Sequence, residues 1–386
     1  MKKIIYILSA ALAIAACDTK VEKLKVQDIK TYSLDENALS AEDQAYYENL
    51  REWKKSKHTI SYVYFAAWAP PEGATSLYIE YKNMKPRLMS LPDSLDIVNL
   101  WMGVPMKQEY TDACFYGNVK NPETGEIERG PMHTYDYSPN AYFDLEYCQK
   151  FKGTRFVMHA DASKPDHEFE LKDPETGEMK YWKVAYGNEA SIRAYGRLIV
   201  DIVNTHGLDG VDFDYEGWGA QEISWVIDEV SKYFGPQGEN PEKLLIVDYF
   251  GGVPPSSIEP KIDYLVCQAY SQQVGPNPRQ ASGFPAEKMV YCEQYEQTSS
   301  DGPNYLNGGY PSGSYNEAGE KMYTLESYAR FSSNATEGLG GGFGAYYIDN
   351  DYDNGITALQ NKGYKDCNYE SYGFLRRAIQ IINPHK

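Results

Sequence analysis

Leu208-Asp209-Gly210-Val211-Asp212-Phe213-Asp214-Tyr215-Glu216 decides how this chain is read. Apolar and acidic residues alternate with period two, the pattern of a β-strand, in which residues two apart share a face. Val211, Phe213 and Tyr215 therefore face one layer, and Asp212, Asp214 and Glu216 face the other. If the apolar set packs on helices, three carboxyl groups point into the interior of a sheet or barrel. Each step of two residues advances about 6.6 Å. Acids that close cannot all ionise in a dry interior, so at least one pKa must rise. Such an arrangement costs stability and makes sense as acid/base chemistry. Glu216 is last in the ladder and nearest the mouth, the natural proton donor; Asp214 lies one step deeper and Asp212 deeper again. A buried polar network or a cation site is the alternative. Successive inward positions spread the acids too far for one coordination sphere, so no metal and no cofactor is called for.

Outward from this strand, seven more apolar runs have the length and continuity of strands buried on both sides. They begin at His58, Leu95, Thr154, Leu244, Ile262, Lys288 and Gly342, which makes the acidic run the fourth of eight. Amphipathic helices are predicted over Asn188–His206, ended by Gly207, and over Ala220–Phe234, Leu325–Ala335 and Tyr369–Ile382. Another, Ser40–Lys57, opens with a Ser-x-x-Asp cap. Eight strands with interleaved helices predict a (β/α)8 TIM barrel, and 386 residues suit one barrel with elaborated loops. A doubly wound open sheet is the alternative. Insertions follow the second strand (105–140) and the third (161–187). Each contains an Asx-Pro-Glu-Thr-Gly-Glu turn, at Asn121 and at Asp173, and each is predicted to form a hairpin. Loops after strands lie on the face where barrels build active sites, so both hairpins are expected to wall a cleft.

The N-terminus pairs Lys2 and Lys3 with the short apolar run Ile4–Ala13, the form of a signal peptide rather than a membrane span. It ends in Ile14-Ala15-Ala16-Cys17, which resembles the lipobox of bacterial lipoproteins. That resemblance implies removal of residues 1–16, lipid on the Cys17 thiol and a tether over 17–39, which leaves one folded domain over 40–386. The membrane would then be met only through the lipid, at the outer membrane or cell surface of a Gram-negative bacterium. The other five cysteines, Cys114, Cys148, Cys267, Cys292 and Cys367, form no CxxC or zinc spacing; one disulfide is compatible with export. A net charge of −18 excludes a nucleic-acid partner, since a phosphate backbone needs a basic surface.

The acids match the Asp-x-x-Asp-x-Asp-x-Glu signature of glycoside hydrolase family 18, the chitinases and endo-β-N-acetylglucosaminidases, through Asp209, Asp212, Asp214 and Glu216. What the resemblance implies is substrate-assisted retention, in which the 2-acetamido carbonyl of the sugar attacks its own anomeric carbon. Glu216 would protonate the leaving oxygen and then deprotonate water. Asp214 would hold the acetamido N–H, and Asp212 would share a proton with it. Asp209 lies off the inward face and anchors the start of the strand. Tyr270, at the end of the sixth strand, would be the phenol on the acetamido oxygen, with Gln268 pointing the same way. Tyr346 or Tyr347 occupies the region where many members place a tryptophan under the sugar. Tyr64 and His159 are cleft candidates with core roles as the alternative.

Departures from the family pattern narrow the class. The third strand reads Met158-His159-Ala160-Asp161 in place of a Ser-x-Gly-Gly-like turn, and Tyr270 is followed by Ser271 rather than Asp. The Gln268-Ala269-Tyr270 run looks more like bacterial endo-β-N-acetylglucosaminidases, and the gap before the eighth strand leaves no room for the α+β insertion of processive chitinases. In these features the chain resembles Bacteroides-type lipoprotein endoglycosidases. The expected substrate is the N-glycan of a glycoprotein, cut in its β-1,4-linked GlcNAc–GlcNAc core, or a related GlcNAc-containing oligosaccharide. A chitinase or chitooligosaccharidase and a non-catalytic surface glycan-binding protein are the competing readings.

Overall fold

Gly210 lets the acidic strand begin tight against its neighbour. Its φ is +146°, and a Cβ there would lie 2.2 Å from the Leu244 carbonyl oxygen, so no L side chain fits. The computed structural model describes residues 32–66, 87–101, 103–106, 112–132, 139–164, 166–173, 175–270, 281–295, 304–334, 341–361, 363–364 and 369–383. In chain order its strands are β1 (Ile60–Tyr64), β2 (Ile97–Leu100), β3 (Ala113–Lys120), β4 (Ile127–Met132), β5 (Arg155–Asp161), β6 (Glu168–Lys172), β7 (Met179–Lys183), β8 (Gly210–Tyr215), β9 (Leu244–Tyr249), β10 (Tyr264–Gln268), β11 (Met289–Gln294), β12 (Pro311–Tyr315), β13 (Lys321–Tyr323) and β14 (Gly342–Tyr346). Eight of them close a parallel barrel in the order β1-β14-β11-β10-β9-β8-β5-β2. These are the eight runs read from the sequence, and the barrel is the predicted one.

The chain divides into two units, Met1–Leu39 and Ser40–Lys386. In the first, the described residues hold one short turn, Glu36–Ala38, capped by Asp35. Cys17 and most of the expected tether lie outside the described residues, as does Cys367. None of the described cysteines, Cys114, Cys148, Cys267 and Cys292, is in a disulfide.

In the second unit, the helix Glu189–Thr205 is capped by the Asn188 side chain and buries Ile192, Tyr195, Leu198, Ile199 and Ile202. The helices Ala220–Val230, Thr324–Asn334 and Gly373–Ile382 occupy the other predicted segments with shifted ends. The first helix, Ala41–Lys55, is capped by Ser40, whose hydroxyl accepts from the Asp43 N–H at 3.0 Å. It ties down the N-terminal end of the barrel: Lys54 Nζ donates to the Leu95 carbonyl at 2.5 Å and to Thr154 at 3.1 Å. The helical layer is uneven. Between β9 and β10 the chain makes only the 3-10 turn Ser256–Lys261, which contains Pro260 and follows Pro255. Before β11 the described residues hold only the turn Ala286–Lys288. Proline withdraws a backbone donor and stops a longer helix there. Between β11 and β14 the described residues hold the 3-10 turn Asn304–Asn307, the small β12–β13 hairpin and the helix Thr324–Asn334.

The two insertions form hairpins whose tips are built alike. Asn121 Oδ1 accepts from the Glu123 and Thr124 N–H groups, and Asp173 Oδ1 from those of Glu175 and Thr176. Gly125 and Gly177 close the turns at φ +75° and +73°. The two predicted hairpins are joined to each other. β3 pairs antiparallel with β6, giving one four-stranded sheet in the order β4-β3-β6-β7. Its inner face, with Phe115, Phe169, Leu171 and Trp182, packs on the main core beside the helix Glu189–Thr205, where Phe169 meets Tyr195 at 6.4 Å. Across the outer face, Glu168 accepts from Arg129 at 2.8 Å and from Lys183 at 2.7 Å.

The Leu244 contact predicts that Gly210→Ala lowers stability by roughly 2–4 kcal/mol, read as the urea unfolding midpoint. A change under about 0.5 kcal/mol would contradict the tight start of β8.

Candidate active site

The alternation along β8 sends its acids inward. Val211 and Phe213 lie in the cluster shared with the helices, with Tyr215 packed against it. A separate cluster fills the barrel interior with Ile60, Tyr62, Tyr64, Ile97, Val157, Ile246, Val266, Val290 and Cys292. Asp212 is fully buried above this apolar floor; the Asp214 side chain is 19% exposed, and Glu216, just past the strand end, is exposed at the rim. Asp209 stays off the inward face, where its carboxylate accepts from the Phe156 N–H at 2.8 Å and from Gln149 at 2.7 Å.

A buried carboxyl group must be given donors. Asp212 Oδ2 accepts from the Tyr62 hydroxyl, from Tyr64 at 3.2 Å and from Asn99 Nδ2 at 2.9 Å. The strand next door adds a carboxyl that the sequence reading passed over. Asp248 on β9 is the register partner of Asp214 and is fully buried. Tyr64 donates to it at 2.9 Å, and Gln268 Nε2 donates both to Asp248 at 2.7 Å and to Asp214 at 3.0 Å. His159 Nε2 stands 3.9 Å from Asp214.

These contacts decide the protonation states. Burial pushes the Asp212 and Asp214 carboxyls up; hydrogen bonds from Tyr62 and Asn99 oppose it at Asp212, and His159 opposes it at Asp214. Asp248 lies well above the usual carboxylate range, through burial first and then through the charges of Asp212 and Asp214. Burial pulls His159 down, against the attraction of Asp214 and Asp161.

Aromatic rings line the same end. Tyr346 packs against the interior cluster, whereas Tyr347 packs against the helix-side cluster, so Tyr346 is the inward one of the pair. Trp101, just past β2 and also missed in the sequence, meets Tyr346 edge-on at 5.0 Å, Tyr347 at 5.3 Å and His159 at 6.1 Å. Tyr270 stacks on Tyr346 at 6.1 Å and lies 5.8 Å from Phe250, whose ring is exposed at the rim. Tyr347 holds a left-handed backbone at φ 55°, a strained conformation for an aromatic residue. Tyr64 is 3% exposed and grips two carboxyls from below, so it supports the site rather than lining the cleft surface. Gln268 likewise acts on the acids from a buried position. The structure thus gathers Glu216, Asp214, Asp212, Tyr270, Gln268, Tyr346 and His159 at one end of the barrel.

Residues 146–296 match the family model of the endo-β-N-acetylglucosaminidase EndoS TIM-barrel domain. That segment runs through β5, β8, β9, β10 and β11 and contains the whole acid cluster. Among solved structures, the chain resembles the protein BT1044 with a TM-score of 0.61 at 18% identity, over 91% of this chain and 96% of that one. It resembles an endo-β-N-acetylglucosaminidase from Cordyceps militaris in its apo form with a TM-score of 0.55 at 18% identity, over 92% and 98%. A mutant of the Cordyceps militaris enzyme in complex with fucosyl-N-acetylglucosamine-Asn gives 0.55 at 18% identity, over 88% and 96%. No curated protein sequence matches the chain. The structural likenesses establish the barrel fold, and the matched family is of the type recognised in the acidic strand.

Tyr62→Phe removes one donor from Asp212 and is expected to cost about 1–3 kcal/mol. The sign follows from the raised Asp212 pKa: the folded state holds the proton more tightly than the unfolded state, so stability is lost as pH rises through the folded value. Removing the phenol widens that gap, so the penalty should grow from acid to neutral pH in urea unfolding curves. A pH-independent penalty would mean that Tyr62 does not stabilise the ionised form.

Proposed function

We infer that this chain is a family 18-type endo-β-N-acetylglucosaminidase that hydrolyses the β-1,4-linked GlcNAc–GlcNAc core of N-glycans. The observation that carries the reading is the gradient along β8, from buried, donor-bound Asp212 to exposed Glu216, inside the segment that matches the family. An exposed rim carboxyl can reach a glycosidic oxygen and exchange protons with water, as a general acid/base must. Asp214, partly exposed and fixed by Gln268, is placed to accept the acetamido N–H while the acetamido carbonyl attacks the anomeric carbon. Substrate-assisted enzymes need no protein nucleophile. Positive charge developing on the oxazolinium ring is then stabilised by the Asp214 carboxylate in a site of low dielectric. Tyr270, beside Tyr346, is assigned the hydrogen bond to the acetamido oxygen, and Tyr346 with Trp101 the face beneath the sugar.

Glu216→Gln is expected to lower turnover on a high-mannose glycoprotein by about 10²–10⁴ while leaving glycan binding intact. Turnover within tenfold of wild type would remove Glu216 from the acid role. A thiazoline analogue of GlcNAc should inhibit competitively; indifference to it would favour a protein nucleophile. Parallel digests of glycoprotein and chitin separate this reading from a chitinase, and binding without turnover in the wild type would make the chain a glycan-binding protein. The Lys2-Lys3 start, the apolar run and Cys17 support lipid anchoring at the outer membrane or cell surface. Metabolic labelling with a fatty acid should mark the full chain and spare Cys17→Ser; equal labelling would exclude the anchor.

A further inference from the structure

Three carboxyl groups meet in the barrel, and the geometry singles out one of them as the proton store. We propose that Asp248, rather than Asp212, is the proton partner of Asp214, a positioning residue that keeps Asp214 anionic and aimed at the substrate. The inference rests on the catalytic reading of the site given above.

The spacing is the first argument. Asp212 and Asp214 are two residues apart on one strand, about 6.6 Å, whereas strand neighbours lie about 4.8 Å apart. Asp214 and Asp248 are such neighbours, while the register partner of Asp212 on β9 is Ile246, which offers no proton. The second argument is a count of donors. Asp212 Oδ2 receives Tyr62 and Asn99 without competition from the other two acids, while its Oδ1 has no donor. Among the described residues, Asp248 has no donor of its own. The single Tyr64 proton stands between Asp248 at 2.9 Å and Asp212 at 3.2 Å. The two Gln268 amide protons are divided between Asp248 and Asp214. A fully buried carboxyl that shares every donor with another acid must supply its own proton. Asp214 is the partly exposed member, so the negative charge settles there, next to the rim.

Kept as an acid, Asp248 leaves Asp214 ionised without placing a second charge beside it. The titratable groups facing Asp248 are Asp212 and Asp214 from β8, Tyr62 and Tyr64 from β1, Cys292 from β11 and Tyr270 beyond β10; His159 and Glu216 act on it through Asp214. Above about pH 8 the acids Asp263 and Asp349, pushed up to about 6, and Asp351, pushed up to about 7, have largely given up their protons.

Infrared spectroscopy of the substrate-free protein at mildly alkaline pH tests the assignment without relying on activity. The carbonyl band of a protonated carboxylic acid should be present in wild type, lost in Asp248→Asn and retained in Asp212→Asn. A band that survives in Asp248→Asn, or vanishes in Asp212→Asn, overturns the proposal. Carbon-13 carboxyl spectra of the unaltered chain serve if a variant fails to fold: one buried aspartate must titrate well above the rest, and its absence overturns the proposal too. In kinetics, Asp248→Ala should lower kcat by roughly tenfold or more with KM nearly unchanged. Asp248→Asn should recover most of that loss and move the acid limb of the kcat/KM profile by roughly one pH unit. A limb that moves in Asp212→Asn and stays in Asp248→Asn would return the proton to the pair on β8. Wild-type protein inert toward glycans would sink the catalytic reading, while the infrared result would still decide where the proton resides.

Discussion

Carboxyl groups held inside a dry barrel by phenol and amide donors are the constraint around which the rest is arranged. An isolated anion there would be driven to protonate, and an unsatisfied one would cost several kcal/mol. The neighbouring strands therefore contribute polar groups at inward positions: Tyr62 and Tyr64 from β1, Asn99 from β2 and Gln268 from β10. Below them the interior returns to Ile60, Ile97, Val157, Ile246, Val266 and Val290. This floor shuts water out from beneath and gives each donor a low-dielectric setting in which a hydrogen bond counts for more. The protonation of Asp212, Asp214 and Asp248 is thus set by their burial and by the groups packed beneath and beside them.

The same even spacing explains what could be read in advance and what could not. The barrel was legible because eight continuous apolar runs alternate with helical segments, and the ladder was legible because three acids, Asp212, Asp214 and Glu216, recur at every second position of one of those runs. Asp248, Asn99 and Trp101 sit on inward positions of strands that were recognised, yet each is a single polar or aromatic residue in an apolar run, with no pattern of its own. Applying the alternation of Leu244 and Ile246 to β9 would have exposed Asp248, and that of Ile97 to β2 would have exposed Asn99 and Trp101. Tyr64 was seen with cleft and core roles both open, because the two carboxyls it meets, on β8 and β9, are not brought together by local sequence. The fusion of the two hairpins was invisible for a related reason. Each carries its own turn signal, but the β3–β6 ladder joins segments about fifty residues apart.

The described connections differ in size around the barrel. On the side of β2, β5 and β8, long insertions and the helix Glu189–Thr205 thicken the wall. From β9 to β11 the described connections are short turns, and the rim there presents Phe250 and Tyr270.

Joining β3 to β6 also makes the loops after the second and third barrel strands a single inherited part. An insertion that slides one ribbon by a residue would turn Phe115 or Phe169 outward and strip the shared seam of its apolar side. Diversification of this lineage is therefore expected to proceed by changes at the two Pro-Glu-Thr-Gly tips, where length is free, and by paired exchange of both ribbons, but not by replacement of either one alone.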